Sequence, residues 1–130
     1  MIIGIGIDIV NINRIKNSID RYSGQFFNRI FTANEINYAK KYGGFAYQKF
    51  ATRFAAKEAC LKALGTGYTL GIGFRDIEVI KTENSAPTIE LHGKALEYMT
   101  EKYSQYKIFL SLSDEDPFAI ANVVIEGELK

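Results

Sequence analysis

Arg53-Phe-Ala-Ala-Lys-Glu-Ala-Cys-Leu-Lys-Ala-Leu-Gly-Thr-Gly67 is the segment from which the rest of the architecture can be inferred. It predicts a helix, because Ala, Leu, Lys and Glu favour helices and Gly65 can adopt the left-handed conformation that commonly ends one. At about 100° per residue, Glu58 and Lys62 lie one turn apart on the same side. Four small residues group on the opposite side: Ala56, Ala59, Cys60 and Ala63. The small side predicts close packing against another backbone, and the side with Glu58 is the candidate for chemistry.

Residues 2–10 predict a β-strand with one apolar face and one nearly empty face. Isoleucines occupy the first face, and the second carries Gly4, Gly6 and Asp8. Glycine weakens a strand, so two glycines before an acid indicate that a backbone or a ligand passes close over that face. Asp8 then either belongs to a site or only caps the next helix. Glu58 and Lys62 also have two interpretations: they either belong to a site or form the ordinary stabilising ion pair of an exposed helix.

The remaining periodicities predict helices in the first half and β-hairpins in the second. A first helix is capped by Asn11 or Asn13 and buries Tyr22 on its apolar side. After Gly24, a separate short buried segment follows it. The capping box Thr32-Ala-Asn-Glu35 opens a second helix, which runs to residue 42. The central helix starts between residues 45 and 49 and ends at residue 64. The later elements are strands over 74–81 and 88–92, a helix over 93–103, and strands over 108–113 and 118–126. This order predicts an α+β fold, one domain over residues 1–130 with a mainly antiparallel sheet packed against the long central helix.

Composition and charge exclude several classes of protein. Of the 130 residues, 47% are hydrophobic, and 16 basic residues against 15 acidic ones leave a net charge of +1. The chain is therefore no polyelectrolyte, and its dispersed Phe and Tyr residues do not indicate nucleic-acid binding. Basic residues nevertheless concentrate in the first half, so we expect a local basic surface for phosphates or an acidic partner. The single histidine, His92, lies at a predicted strand end without a triad or zinc motif beside it.

Cysteine usage and hydropathy predict a cytoplasmic protein. One cysteine, Cys60, cannot form an internal disulfide, which favours a reducing compartment. The sequence opens without a basic segment followed by an apolar run, and no 18-residue apolar segment occurs in it. We therefore expect no targeting signal and no association with a membrane.

Several short motifs are weak separately but characteristic together. They are Gly4-Ile-Gly-Ile-Asp-Ile-Val10 with Arg14-Ile15, Phe31-Thr32 with Glu35 and Tyr38-Ala39, Arg53-Phe-Ala-Ala-Lys-Glu-Ala59 with Lys62-Ala63, Gly65-Thr-Gly67, and Leu110-Ser-Leu-Ser113. In this combination the chain resembles the holo-[acyl-carrier-protein] synthases, small single-domain members of the 4'-phosphopantetheinyl transferase superfamily. The resemblance runs from the first residue to the last β-hairpin.

The resemblance implies an activity and a metal ion. Enzymes of this family transfer the phosphopantetheine arm of coenzyme A to a serine of apo acyl carrier protein, in fatty acid biosynthesis, and release adenosine 3',5'-bisphosphate. By resemblance, Asp8 and Glu58 are the magnesium ligands, and carboxylates are the hard oxygen donors that Mg²⁺ prefers. The catalytic residues are then Asp8, Glu58 and Lys62, and Glu58 is also the candidate acceptor of the serine proton. The glycines beside Asp8 would leave room for the pyrophosphate.

The resemblance also assigns the substrate and partner contacts. The nucleotide of coenzyme A is expected against Gly65, Thr66 and Gly67 and against the turn with Asn84, Ala86 and Pro87. Arg53 and Lys57 either contact phosphates or hold the site together. Arg14 and Arg21 resemble the residues that bind the acidic helix of acyl carrier protein, although a solvated helix face explains Arg21 equally well. Family members form homotrimers with the active site between subunits, and we expect the same here.

One position departs from the family pattern. Many members carry a histidine directly after the Ser-aliphatic-Ser segment, where it helps contact the 3'-phosphate of coenzyme A, and this chain has Asp114. An acid cannot fill that role by charge, so we expect Asp114 to cap the hairpin turn.

Two other functions would use the same residues. A non-catalytic module would bind coenzyme A or the carrier protein without turnover, which does not require the two acids together. A magnesium-dependent phosphohydrolase would use the same carboxylates with water as the nucleophile.

Overall fold

The computed structural model describes residues 1–82 and 84–130. Within them, α-helices and β-strands follow the order β1 (Ile2–Asn11), α1 (Ile12–Ile30), α2 (Ala33–Lys40), α3 (Ala46–Leu64), β2 (Ile77–Ile80), β3 (Thr88–Leu91), α4 (Gly93–Lys102), β4 (Tyr103–Glu115) and β5 (Phe118–Leu129). Strands β1, β5 and β4 form an antiparallel sheet in that order, and β2 pairs with β3 in a second antiparallel sheet. The predicted α+β class is confirmed, with the long helix α3 packed on the larger sheet.

The contact between α3 and β1 depends on the two glycines of the strand. A Cβ atom at Gly4 would overlap the backbone carbonyl of Ala63, and one at Gly6 would overlap that of Ala59. Because Ala59 and Ala63 are buried on the small side of α3, the helix backbone lies directly on the strand. The predicted close packing is confirmed. The glycines make room for the helix and not for a pyrophosphate, so that expectation was wrong.

The larger sheet has one buried face and one exposed face. On the buried face, β5 contributes alternate residues to the core: Ala119, Ala121, Val123 and Ile125. On the other face of β1, Ile5, Ile7 and Ile9 are 70%, 62% and 59% exposed. The apolar face of β1 is therefore the one that the subunit leaves uncovered.

Helix α1 differs from its prediction in two respects. The Asn11 side chain accepts a hydrogen bond of 2.9 Å from the backbone N–H of Asn13, which confirms Asn11 as the cap. The helix does not end near Gly24 but continues to Ile30 across a kink at Ser23, where the backbone is non-helical. Tyr22 is 49% exposed, so its predicted burial was wrong; three isoleucines earlier in the helix form the buried stripe.

The remaining boundaries follow the predicted order with shifts of a few residues. The capping box of Thr32 and Glu35 is present, and α2 ends at Lys40 rather than at residue 42. The segment 74–81 starts with a 3₁₀ turn over Phe74–Asp76, which shortens the strand, and both strands of the last hairpin are longer than predicted. The predicted turn between β2 and β3 includes Glu83, which lies outside the described residues. Over the part of the chain that is described, no helix has the length and apolar character needed to cross a bilayer.

Replacing Gly6 by Ala tests the close contact between β1 and α3. We expect Gly6→Ala to lower the free energy of unfolding by about 1–3 kcal/mol, because the new methyl group must push the strand away from the helix backbone. Gly44→Ala is the matched control, since a Cβ at Gly44 meets nothing within 4 Å. Urea unfolding followed by circular dichroism measures both variants. Equal stability of the two variants would contradict the packing described here.

Candidate functional site

The C-terminal half of α3 brings Glu58 and Lys62 to the end of β1 that carries Asp8. The Lys62 ammonium lies 3.2 Å from Asp8 Oδ1 and donates a hydrogen bond of 2.9 Å to the carbonyl oxygen of Ile7. The Asp8 side chain is 17% exposed and that of Lys62 56% exposed, so the ion pair lies at the protein surface. Asp8 therefore faces α3, next to the glycines on the same face of β1, and belongs to the site rather than to a helix cap.

Tyr68, just after the end of α3, contacts one of the two carboxylates. Its hydroxyl donates a hydrogen bond to Glu58 Oε1. Burial raises the pKa of the Tyr68 phenol, as do the hydrogen bond to Glu58 and the negative charges of Glu58 and Asp8. The Tyr68 hydroxyl is therefore bonded to Glu58 and lies within the influence of the charge of Asp8, which is fifty positions from Glu58 in the sequence.

This arrangement fits a cation bound to phosphate. Asp8 and Glu58 supply carboxylate oxygens, which are the donors that Mg²⁺ takes, usually one or two per site, with substrate phosphates and water completing the coordination. The Lys62 ammonium adds a positive charge beside them. Among the described residues, the ion-pair partner of Lys62 is Asp8 and not Glu58, so the ordinary i, i+4 pair of an exposed helix is not formed.

Gly65, Thr66 and Gly67 end α3 and lead into Tyr68. Gly65 has φ 77° and Gly67 has φ 57°, both in the left-handed region that glycine adopts readily. The backbone N–H of Gly65 donates to the carbonyl oxygens of Leu61 and Lys62, which confirms the predicted cap. The turn therefore borders the cluster formed by Asp8, Glu58 and Lys62.

Arg53 lies in a different cavity, together with Ala86 and Pro87. This cavity has a volume of about 340 Å³, and its lining also includes Tyr38, Lys49, Thr52, Lys81 and four residues of β4, Leu110, Ser111, Leu112 and Asp114. Asn84, in the turn after β2, has φ 62°. The cavity lining contains none of Asp8, Glu58 or Lys62, so the predicted substrate residues form two separate groups on one subunit.

Arg53 is held rigidly at this cavity. It is 4% exposed, and its guanidinium lies 4.3 Å from the centre of the Tyr38 ring and donates a hydrogen bond of 3.0 Å to Thr52 Oγ1. Burial lowers its pKa, and the neighbouring Tyr38 opposes that effect. A guanidinium stays protonated at neutral pH nonetheless, so Arg53 keeps a fixed positive charge beside the cavity.

Lys57 holds the structure together instead of contacting a substrate. Its side chain and that of Glu35 are completely buried, with Lys57 Nζ 2.8 Å from Glu35 Oε1. The ammonium also donates to the carbonyl oxygens of Phe74 and Ile77. These three acceptors take its three N–H donors. Of the two roles left open for Lys57, holding the site together fits these contacts, because a buried ammonium without a spare donor cannot reach a phosphate.

Arg14 and Arg21 lie on α1 and are both exposed. The Arg21 guanidinium is 5.3 Å from the centre of the Tyr22 ring. Asp114 lies within β4, opposite Ala119, and the hairpin turn is formed by Asp116 and Pro117. The expectation that Asp114 caps this turn was wrong, and its place is at the cavity of Arg53.

The sequence did not reveal a second group of ionisable residues at β2 and β3. Glu78, Glu90 and His92 have potential ligand atoms that all lie within 4.8 Å of one another. Glu78 and Glu90 are directly opposite each other in the strand pair, and His92 Nε2 lies 3.1 Å from Glu78 Oε1. Thr32 and Asn34 donate to the second oxygen of Glu78. The available signal was the spacing of Glu90 and His92, two residues apart on one strand face. This group contains neither Asp8 nor Glu58.

Comparison with known proteins identifies the class to which this fold and site belong. A model of the 4'-phosphopantetheinyl transferase superfamily matches residues 4–122. The holo-[acyl-carrier-protein] synthase of Clostridium tetani is 50% identical over 128 residues, covering 98% of both chains. That of Gluconobacter oxydans is 42% identical over 131 residues, covering 98% of this chain and 83% of the relative.

Solved structures agree with these relatives. The holo-(acyl-carrier-protein) synthase of Bacillus anthracis, in complex with CoA (3',5'-ADP), is 38% identical, with a TM-score of 0.79 and 98% of both chains covered. That of Helicobacter pylori, in complex with coenzyme A, is 36% identical, with a TM-score of 0.79, covering 94% of this chain and 99% of the other. The chain described here belongs to the holo-[acyl-carrier-protein] synthase family of enzymes, within the 4'-phosphopantetheinyl transferase superfamily.

Replacing Lys57 separates a structural role from phosphate binding. We expect Lys57→Met to lower the free energy of unfolding by about 3–5 kcal/mol, because Glu35 is left as a buried charge without its partner. Lys94→Met is the control, since the Lys94–Glu97 pair is exposed and such pairs contribute about 1 kcal/mol or less. Urea unfolding measures both. Unchanged stability together with weaker coenzyme A binding would show that Lys57 serves the substrate after all.

Proposed function

We propose that this chain transfers the 4'-phosphopantetheine group of coenzyme A to a serine of apo acyl carrier protein in a magnesium-dependent reaction that releases adenosine 3',5'-bisphosphate. The observation that carries the proposal is the contact of Lys62 with Asp8 where α3 crosses the end of β1, one helical turn from Glu58. Membership of the family and the coenzyme A complexes of two relatives support the choice of substrate.

The reaction requires groups that neutralise charge. The serine oxygen forms a bond to the phosphorus nearer the pantetheine, and the bond from that phosphorus to the adenosine-side phosphate oxygen breaks, with its electron pair leaving on that oxygen. Negative charge spreads over the phosphoryl and leaving oxygens during transfer. Asp8 and Glu58 would hold Mg²⁺, which when bound supplies charge neutralisation at the pyrophosphate. Lys62, an exposed ammonium next to Asp8, would donate to the same phosphate oxygens.

Glu58 has a second proposed role as acceptor of the serine proton. This half-buried carboxylate would lie beside the cation, and it can take the proton directly or through a water molecule. The proton must leave the hydroxyl as the oxygen–phosphorus bond forms. A Glu58→Gln variant that kept both metal affinity and turnover would contradict this role.

The two separate groups of substrate residues support an active site shared between subunits. Gly65, Thr66 and Gly67 adjoin the acids, whereas Arg53, Ala86 and Pro87 surround a different cavity. Two copies of the chain could bring one group of each kind to a single coenzyme A, with Asn84 in the turn beside Ala86 contacting the nucleotide. Arg53 supplies a fixed charge for a phosphate there, which is a function that Asp114 cannot provide.

The exposed face of the larger sheet is the proposed surface of association into a homotrimer. Ile5, Val124 and Phe109 occupy paired positions across the three strands, and Ile9 pairs with Ile120. Ile5 is 70% exposed, Phe109 43% and Ile120 37%, so these side chains form an apolar surface that a second copy would bury.

Arg14 and Arg21 on α1 are the proposed contacts for acyl carrier protein. Both are exposed, and guanidinium groups form strong, directional hydrogen bonds with carboxylates. A small acidic partner needs only a few such contacts, which suits a chain with net charge +1. We place the reaction in the cytoplasm, as the single buried thiol favours.

Mass spectrometry of the carrier protein tests this function. The protein is mixed with coenzyme A, Mg²⁺ and apo acyl carrier protein, and the carrier is expected to gain the mass of one phosphopantetheine arm, a gain that a chelator abolishes. Asp8→Asn and Glu58→Gln should each slow the reaction about 100-fold or more, because each removes an anionic ligand that would hold the cation at the reacting phosphates. Glu97→Gln is the control, since Glu97 is an exposed carboxylate on α4.

The other outcomes each identify a different function. Hydrolysis of coenzyme A without a mass gain on the carrier would indicate a phosphohydrolase. No change in either molecule would indicate a binding module. Transfer that continues in the presence of the chelator would contradict the role of magnesium.

A further inference from the structure

The hydroxyl group of Tyr68 donates a hydrogen bond to one carboxylate oxygen of Glu58, a proposed metal ligand. Neither the chemistry of the transfer nor the packing of the core requires this hydrogen bond. Tyr68 is 53% exposed, so its ring contributes little to the buried core. Its hydroxyl nevertheless donates a hydrogen bond to Glu58 Oε1. A hydrogen bond of this kind from a residue outside the metal's own ligands fixes the orientation of a ligating carboxylate.

A series of aromatic rings holds Tyr68 in this position. Its ring meets Phe74 edge-on, with ring centres 5.0 Å apart, and Phe74 stacks on Phe54 with centres 5.5 Å apart. Phe54 lies one turn before Glu58 on α3. The series therefore starts at Phe54 on α3 and returns, through Phe74 and Tyr68, to Glu58 on the same helix. These contacts orient the Tyr68 phenol without any bound ligand.

The backbone between α3 and β2 also turns Tyr68 back towards the helix. Gly65, Gly67 and Gly71 have positive φ, and Leu70 does as well, with φ 63°. Thr69 Oγ1 donates a hydrogen bond of 2.6 Å to the carbonyl oxygen of Thr66, which closes the turn around Tyr68. A positive φ at leucine is unfavourable, so surrounding contacts must maintain this conformation.

The hydrogen bond from Tyr68 also gives Glu58 a partner other than Lys62, which pairs with Asp8. Glu58 and Lys62 are spaced to pair with each other, yet the Lys62 ammonium contacts Asp8. With Oε1 of Glu58 bound to Tyr68, the carboxylate is held away from the pairing that its helix spacing favours. Without the phenol, Glu58 would be free to compete with Asp8 for Lys62.

We propose that Tyr68 is a positioning residue, which holds Glu58 by Oε1 so that Oε2 is presented to the divalent cation beside Asp8. The inference rests on the proposed function only in taking Asp8 and Glu58 as the cation ligands. It assigns to Tyr68 no contact with the reacting atoms. Its effect is to favour the metal-binding orientation of Glu58 before the cation arrives.

The test uses Mn²⁺ alone as the probe, since Mn²⁺ accepts the same oxygen ligands as Mg²⁺. Tyr68→Phe keeps the ring and its contact with Phe74 but removes the hydroxyl. We expect this variant to bind Mn²⁺ about 10-fold more weakly, measured from the electron paramagnetic resonance signal of free Mn²⁺, because a second-shell partner contributes about that much affinity. In the mass assay, the Mg²⁺ concentration for half-maximal rate should rise by a similar factor, while the rate at saturating Mg²⁺ should stay within about twofold.

The control variant is Tyr98→Phe, which removes another hydrogen-bonded phenol hydroxyl, the partner of Lys102 on α4. It should bind Mn²⁺ as the wild-type protein does, and both variants should unfold at the wild-type urea midpoint. Unchanged Mn²⁺ affinity in Tyr68→Phe would overturn the proposal. A rate lowered at saturating Mg²⁺ without any change in affinity would overturn it too, because Tyr68 would then act on the substrate.

A further variant distinguishes failure of this inference from failure of the proposed metal site. If Asp8→Asn loses Mn²⁺ affinity while Tyr68→Phe keeps it, the metal site is supported and the positioning role is wrong. If Asp8→Asn binds Mn²⁺ like the wild-type protein, the cation does not use Asp8, and the metal site itself is wrong.

Discussion

The direct contact between the backbones of α3 and β1 is the constraint on which the rest of the structure depends. Gly4 and Gly6 have no side chains to separate the strand from Ala59 and Ala63. Since Asp8 follows on the same face of the strand, the contact brings its carboxylate to the helix turn that carries Glu58 and Lys62. A strand with ordinary side chains at these two positions would stand further from the helix, and Asp8 would lie further from Lys62.

Helix α3 uses its two lysines near the site in opposite ways. Lys57 is completely buried and neutralises Glu35, which in turn accepts a hydrogen bond of 2.8 Å from the backbone N–H of Val79 and so ties α2 and α3 to β2. Lys62, five residues later, is exposed and contacts Asp8. Burying the Lys57 ammonium costs desolvation free energy, and protein groups supply all of its hydrogen-bond acceptors. The Lys62 ammonium remains accessible to a substrate. Helix geometry alone separates these roles, because five residues rotate a side chain by about 140° around the axis.

Much of the fold could be predicted from sequence because the signals were local. The cap at Asn11, the box at Thr32 and Glu35 and the left-handed Gly65 each depend on a few neighbouring residues. The predicted burial of Tyr22 was wrong because local sequence does not determine the kink of α1 at Ser23 or which residues of the helix face the core. The buried Lys57–Glu35 pair could not be predicted either, since its partners are twenty-two positions apart and a lysine in a helix is normally exposed. For the proposed site, the sequence named the residues at α3 and β1. The division of the predicted substrate residues between two places and the contact of Tyr68 with Glu58 require tertiary structure.

In the proposed site, Asp8 and Glu58 hold one divalent cation together. Crystals of the wild-type protein grown with Mn²⁺ and measured near the manganese absorption edge test it most directly. We predict an anomalous peak at about 2.2 Å from a carboxylate oxygen of Asp8 and from one of Glu58. A peak found only at Glu78, Glu90 and His92, or carboxylates of Asp8 and Glu58 directed away from each other in every subunit, would contradict the account.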